Sequence, residues 1–291
     1  MKNSDNKRMN WGTLYVVSTP IGNLEDITLR ALNVLKKADI IASEGVQHTR
    51  ALCRHYGIRV KLTSYNQHNQ KKKGSSLIAE LKSGHDVALV TNAGTPAVSD
   101  PGGMLVHQAI EEGITVSPVP GPSAVMAGLS ISGLKINEFV FLGFLSNRTG
   151  RRRKALQELA DEHRTMVFFE APHRLEETLL DMQKILGERR VTILREMTKL
   201  HEEIIHDLIS NLLEKISGIE IKGEITLVVE GVKIKKETQP LADDIQMEME
   251  ELIMKQGLGV KETAKQISEK TGLPYRKLYK KCLSLKKELE T

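Results

Sequence analysis

The segment TNAGTPAVSDPGG, residues 91–103, follows the apolar run DVALV and holds three Gly and two Pro. Such a stretch packs poorly as helix or strand, so it presents backbone N–H and C=O groups at a strand's carboxyl end. Two more loops of this kind follow apolar runs: STPIGNLEDIT at 18–28 and VPGPSA at 119–124. None of the three matches a G-x-G-x-x-G dinucleotide fingerprint or a G-x-x-x-x-G-K-[ST] phosphate loop, so a nucleotide-phosphate cradle is disfavoured. Backbone-rich loops without a phosphate motif suit a small polar ligand with an adenine or amino-acid portion.

The elements that must position these loops are short and regular. TLYVVS, DIIAS, DVALVT, ITVSPV, FVFLGF, TMVFFE, VTILRE and EITLVVEG are β-branched apolar runs bounded by Gly, Pro or charge, as buried strands are. Helical spacing lies between them, with Leu29, Leu32 and Leu35 in one segment and Leu77, Ile78 and Leu81 in another. Alternation of this kind predicts an α/β fold with largely parallel pairing, at least in the first half, and ligands in such sheets sit at the carboxyl ends of the strands. The punctuation at VSPVPGPSAV and the polar stretch 233–240 set the expected boundaries: an extension over 1–11, a lobe over 12–119, a second lobe over 120–232, and a helical appendage over 233–291. Within the appendage, two helices around Gly272 and Pro274 read as helix-turn-helix-like. Seven basic and no acidic residues between Lys270 and Lys287 fit either a nucleic-acid contact or a solvated face.

Composition narrows the class. The chain has 291 residues, 27% charged, and a net charge of +5, compatible with a polyanionic partner. No apolar run approaches the ~20 residues of a membrane helix, and the N-terminus lacks a signal peptide's apolar core, so no membrane association and a cytoplasmic location are expected. Cys53 and Cys282 alone give no disulfide framework, and the nine His contain no H-x-x-x-H pair, so no metal is expected.

TPIGNLEDITLRA, AGTPAVSDPG, PGPSA, SGL, GFL, FFEAPHR and REMTK stand in the order and spacing of the tetrapyrrole-methylase-like superfamily. More narrowly, residues from about Gly12 to Gly231 resemble its ribosomal RNA branch, the ribosomal RNA small subunit methyltransferase I family, and the helical C-terminus is similar to that family's appended domain. The resemblance implies two α/β lobes with S-adenosyl-L-methionine in the cleft between them, a homodimer, and methyl transfer to the ribose 2′-hydroxyl of a cytidine in the decoding region of small-subunit (16S) rRNA. By the same resemblance the cofactor loops would be Pro20, Ile21, Gly22 and Asn23; Gly94, Thr95, Pro96, Ser99 and Asp100; and Pro120, Gly121, Pro122, Ser123 and Ala124.

The implied reaction needs alignment above all, plus a group to accept the hydroxyl proton. Candidates are Glu170 and His173 of FFEAPHR and Glu196 and Lys199 of REMTK, with Arg174 and Arg195 to hold a substrate phosphate. For RNA, Arg148, Arg151, Arg152, Arg153 and Lys154 crowd a helix start where positive charge opposes the helix dipole. Tyr65 and His68 of SYNQHNQKKK are candidates to stack on splayed bases. Glu44, His48 and Thr49 complete the substrate set, but their segment departs from the family's EDTRHT and reads EGVQHT, while SDAGTP reads TNAGTP. Gly45, Gln47 and Asn92 thus remove charge near the cleft. An active enzyme, a non-catalytic RNA-binding or ribosome-assembly relative, and a methylase of another substrate such as a tetrapyrrole all remain open on these residues.

Overall fold

Apolar runs of four to six residues bury both faces when helices cover the sheet they form. The computed structural model describes residues 10–232, 243–254 and 257–289; most of the extension before residue 12 and the polar stretch 233–240 lie outside that range. Strands β1 (Leu14–Val17), β2 (Ile40–Ser43), β3 (Lys61–Ser64), β4 (Val87–Val90) and β5 (Val116–Val119) form an all-parallel sheet in the order β3-β2-β4-β1-β5. Helices α1 (Leu29–Lys37) and α2 (Val46–His55) cover one face around Leu35, Ile41, Leu52 and Val90. Helices α3 (Gln70–Lys82) and α4 (Gly103–Glu111) cover the other around Leu77, Leu81, Leu89 and Leu105. α1 starts where Thr28 Oγ1 accepts the Ala31 N–H at 3.1 Å, so the first Pro/Gly loop ends in a helix cap.

The second sheet is mixed. β6 (Phe139–Phe144), β7 (Thr165–Glu170), β8 (Arg190–Arg195), β9 (Glu203–Leu208) and β10 (Ile225–Val229) run in the order β6-β7-β10-β8-β9, and only β6 with β7 is parallel. Helices α6 (Thr149–Glu158), α7 (Leu175–Leu186) and α8 (Ile209–Ile216) bury one face around Leu156, Phe168, Leu179 and Leu212. Helix α5 (Ala124–Ile131) lies on the other face, where Val125 and Leu129 join Ile21 of the first lobe and Val167, Leu194 and Met197 of the second in one apolar cluster. That cluster ties the two lobes together beneath the loops.

Two strands depart from the sequence reading. β3 (KLTS) and β9 (EIIHDL) sit at sheet edges, half exposed, and so lack the continuous apolar run that marks the inner strands. A separate compact unit holds α9 (Asp243–Met254), α10 (Val260–Thr271) and α11 (Tyr275–Leu289). Gly272 ends α10 with a left-handed φ of 70°, and Met249, Ile267, Leu278, Cys282 and Leu285 form the unit's own core. No described helix is long and apolar enough to cross a membrane.

Candidate active site

The three Pro/Gly loops meet at the carboxyl edge of the first sheet. Thr19 and Gly94 exchange backbone hydrogen bonds at 2.9 and 3.0 Å, and the Ser18 and Thr95 hydroxyls share one at 2.9 Å, so the first two loops form one unit. Gly121 of the third loop packs on Ser18, 3.1 Å from Ser18 Cβ to the position a Cβ would take. The first loop also rests on the second lobe: a Cβ at Gly22 would lie 2.6 Å from Thr198 Oγ1 and 2.7 Å from the Met197 carbonyl. Glycine is required there by close approach. Beside it, the Asn23 N–H donates to Thr198 Oγ1 at 3.0 Å. The REMTK turn that receives this loop is itself held in sparsely populated backbone geometry, with φ of 52° at Glu196 and 65° at Thr198.

A cavity of about 440 Å³ opens between the lobes, within the size range of cofactor sites. Gly94, Thr95, Ser99 and Asp100 line it from the second loop, Ser123 and Ala124 from the third, and Ile21 from the first. Phe144 and Phe169 supply aromatic surface from the second sheet. Ser99, at φ 62°, sits against a bulge of β6, where its Oγ lies 2.7 Å from the position of the Cβ that Gly143 lacks. Glu44 and Asp100 both face this cavity, and the Asp100 carboxyl is pushed up to about 6, first by burial and then by the Glu44 charge. Aromatic surface, small residues at φ-permissive positions and two carboxylates for an ammonium fit S-adenosylmethionine, which carries an adenine, a sulfonium and an amino-acid end.

A second cavity of about 490 Å³ lies against α2. Pro20 and Gly22 face this space rather than the first cavity, and His48, Thr49 and Lys199 line it as well. Ile21, Asn92, Ala93 and Glu224 line both cavities and form the wall between them. Asn23, Pro96, Pro120, Gly121 and Pro122 line neither and shape the loops instead.

The four proton-acceptor candidates do not form one cluster: Glu196 and Lys199 pair, while Glu170 and His173 stand apart from them. The Glu170 carboxylate lines the first cavity but is already engaged: Thr178 Oγ1 donates to it at 2.6 Å, the Ala171 N–H at 2.7 Å, and Arg174 pairs with it. Glu196 accepts from Lys199 Nζ at 2.8 Å and from the Glu224 N–H at 2.8 Å, and these bonds hold its carboxyl below the usual range. Burial works against the Lys199 charge, but hydrogen bonds to Glu196 and Glu224 outweigh it and keep the ammonium protonated to higher pH than usual. His173 is exposed on the 3₁₀ turn after β7 and lines neither cavity.

Several RNA candidates take other roles. Tyr65 is fully buried in the core under α3 and α4, so it offers no stacking surface. Arg152 is 2% exposed and binds Asp181 through Nε at 2.7 Å, with Glu177 at 3.3 Å from its terminal nitrogen. It neutralises a buried carboxylate rather than a phosphate. Arg153 shares Asp181 at 2.7 Å but stays about half exposed; Arg148, Arg151 and Lys154 are exposed beside it. Arg174 is held by Glu170, and Arg195 binds Glu203 at 2.8 Å, so both charges are matched within the fold. His68 is exposed, while Thr49 is buried with its hydroxyl 2.6 Å from that of Ser43. Glu224, which touches both cavities and Lys199, was not singled out in the sequence because it precedes β10 with no motif around it. Asn92, noticed only as a departure, donates its N–H to Glu44 at 3.2 Å and fills the space over Gly45.

Comparison with known proteins identifies the family and the fold. The family model for tetrapyrrole (corrin/porphyrin) methylases matches residues 13–213. The chain is 44% identical over 270 residues to the ribosomal RNA small subunit methyltransferase I of Halalkalibacterium halodurans, covering 92% of this chain and 93% of that one. It is 40% identical over 279 residues to the protein of the same name from Bacillus subtilis, covering 95% and 96%. Among solved structures, uroporphyrin-III C-methyltransferase from Thermus thermophilus, in complex with S-adenosyl homocysteine, matches with a TM-score of 0.56 at 20% identity over 75% of this chain and 97% of that one. A cobalt precorrin-4 methyltransferase matches with a TM-score of 0.57 at 16% identity, over 75% and 94%. With its three loops at one sheet edge and a full-length likeness to these relatives, the chain belongs to the tetrapyrrole methylase family and, within it, to the ribosomal RNA small subunit methyltransferase I group.

Proposed function

We propose that this S-adenosylmethionine-dependent methyltransferase methylates the ribose 2′-hydroxyl of a cytidine in the decoding region of 16S rRNA, acting as a homodimer. The observation that carries the reading is the pair of adjoining cavities that share Ile21, Asn92, Ala93 and Glu224. One has the lining a cofactor needs, and the other is open to a nucleotide across a wall only a few side chains thick. When bound, the cofactor supplies an activated methyl group on a good leaving group, so the chain's task is alignment and proton handling.

Lys199 and Glu224 are the groups placed for that task. Lys199 lines the second cavity and is held charged by two carboxylates, so it favours negative charge developing on a ribose oxygen. Glu224, exposed and touching both cavities, is the carboxylate positioned to receive the proton. Glu170 acts through its partners, fixing Arg174 and the turn after β7. The exposed cations Arg148, Arg151 and Lys154 serve the RNA backbone.

The test is transfer of labelled methyl from S-adenosylmethionine to small ribosomal subunits lacking the mark, with the product digested to nucleosides. Label in 2′-O-methylcytidine from the decoding region is expected. Cofactor binding without any label would instead favour a binding protein on a methyltransferase fold. Glu224→Gln should slow single-turnover transfer by about a hundredfold, in the range of a general base; an unchanged rate refutes the assignment.

A further inference from the structure

On the far flank of α2 from the nucleotide cavity lies a smaller one of about 300 Å³, walled by Cys53, Ile58, Val60 and Leu62 and rimmed by Arg50, Arg54 and Arg59. Arg54 lines both this hollow and the nucleotide cavity. Arg50 and Arg54, four residues apart on one helix, share a face, where like charges repel. Arg59 arrives from the loop before β3 and adds a third positive charge.

No carboxylate among the described residues balances them. Arg50 donates to the amide oxygen of Gln47 at 2.9 Å, and none of the three has a carboxylate partner among the described residues. In the second lobe Arg152, Arg153, Arg174 and Arg195 are matched by Asp or Glu, whereas Arg148 and Arg151, exposed like Arg50, Arg54 and Arg59, have no carboxylate partner among the described residues. Position at a helix carboxyl end accounts for Arg54, because the dipole there favours cations, but not for Arg50 or for Arg59 outside the helix. Three planar guanidinium groups lining one hollow offer the paired N–H donors that phosphate oxygens accept.

We propose that Arg50, Arg54 and Arg59 form a subsite for a phosphodiester of the RNA strand, next to the nucleotide whose ribose enters the adjoining cavity. The assignment rests on the RNA methyltransferase reading above. Arg54 links the two spaces, so the phosphate it holds is a near neighbour of the modified nucleotide. The Gln47 carbonyl oxygen accepts from Arg50, whose side chain lines the hollow.

The test uses the full chain and unmethylated small ribosomal subunits, with binding measured across a range of KCl separately from methyl transfer. Arg50→Gln with Arg59→Gln should weaken subunit binding roughly tenfold and make the log–log salt slope shallower by about 0.7 for each phosphate left without its cation. Cofactor affinity, measured by calorimetry, should stay within about twofold and serves as the check on folding, because neither residue lines the cofactor cavity. Arg50→Lys with Arg59→Lys should recover most of the salt slope, since charge is kept. Unchanged affinity and slope in the glutamine variant, or no recovery with lysine, overturns the subsite. Failure of the wild-type protein to methylate subunits that it still binds would overturn the methyltransferase reading instead, and leave the arginine comparison to stand on binding alone.

Discussion

Asp100 gives the sharpest link between the site's geometry and a measurable quantity. Its carboxyl sits half-buried in the cavity between the lobes, which Glu44 also lines, and is pushed up to about 6, against 3.8 for a free aspartate. A difference of about two units corresponds to about 3 kcal/mol, which solvent screening at a half-buried position reduces to about 1–3 kcal/mol. The sign follows from proton counting. Because the folded pKa is the higher one, the folded state binds more protons between about 4 and 6, and stability falls as pH rises through that window.

Asp100→Asn removes the titration. Wild type and variant should unfold alike at pH 4, and the variant should be the more stable by about 1–3 kcal/mol at pH 8. For the two-lobe unit that is a melting difference of about 2–10 °C. Thermal unfolding at half-unit steps from pH 4 to 8, in constant ionic strength, reads the difference directly. Ligand binding adds a second reading, since S-adenosylmethionine brings a positive charge: at pH 6 its binding should release up to about half a proton from wild type and none from Asp100→Asn. Parallel stability curves for the two proteins, with no proton release, would refute the placement of Asp100 against Glu44.

Three further outcomes follow from packing. Gly45→Asp places a Cβ 2.2 Å from Asn92 Oδ1, the end of an exposed side chain that can swing aside, and should cost no more than about 1 kcal/mol in chemical denaturation; pairing it with Asn92→Ala should recover most of that in a double-mutant cycle. Asp181→Ala leaves the buried Arg152 charge with Glu177 alone and should cost about 3 kcal/mol, the low end for a broken buried pair, whereas Arg151→Ala next door, on an exposed side chain, should cost under about 0.5 kcal/mol. Gly22→Ala pushes the first loop off the REMTK turn and should raise the cofactor dissociation constant about tenfold, an order-of-magnitude expectation for a loop displaced by overpacking; calorimetry with S-adenosylmethionine checks it.

What the sequence made legible was the part of the fold written locally. The inner strands announce themselves as apolar runs, and the three loops by Gly and Pro, because burial on both faces and tight turns each demand a residue type at the site itself. The edge strands β3 and β9 carry no such demand. The antiparallel order of the second sheet was equally silent: FVFLGF, TMVFFE, VTILRE and ITLVV look alike, and their direction is set by connections and by packing. Function residues failed for a related reason. RRRK reads as one basic cluster, but Arg152 points inward because Asp181, 29 residues later on α7, stands opposite it. Glu224 becomes interesting only when Lys199 is brought against it from 25 residues away.

The two departures from the family motif illustrate the same point from the other side. In the sequence, Gly45 and Asn92 look like separate losses of charge from separate loops, 47 residues apart. In space they are one packing unit: the Asn92 amide oxygen occupies the volume over the Gly45 Cα, and the Asn92 N–H is bound by Glu44. Asn92 is also part of the wall between the two cavities. With Glu44 and Asp100 already facing the same space, and Asp100 raised in part by Glu44, a further carboxylate at 92 would push Asp100 further upward. A neutral amide there, seated over a glycine, keeps the wall in place without adding to that repulsion. The substitutions therefore act together on the one partition between the two cavities.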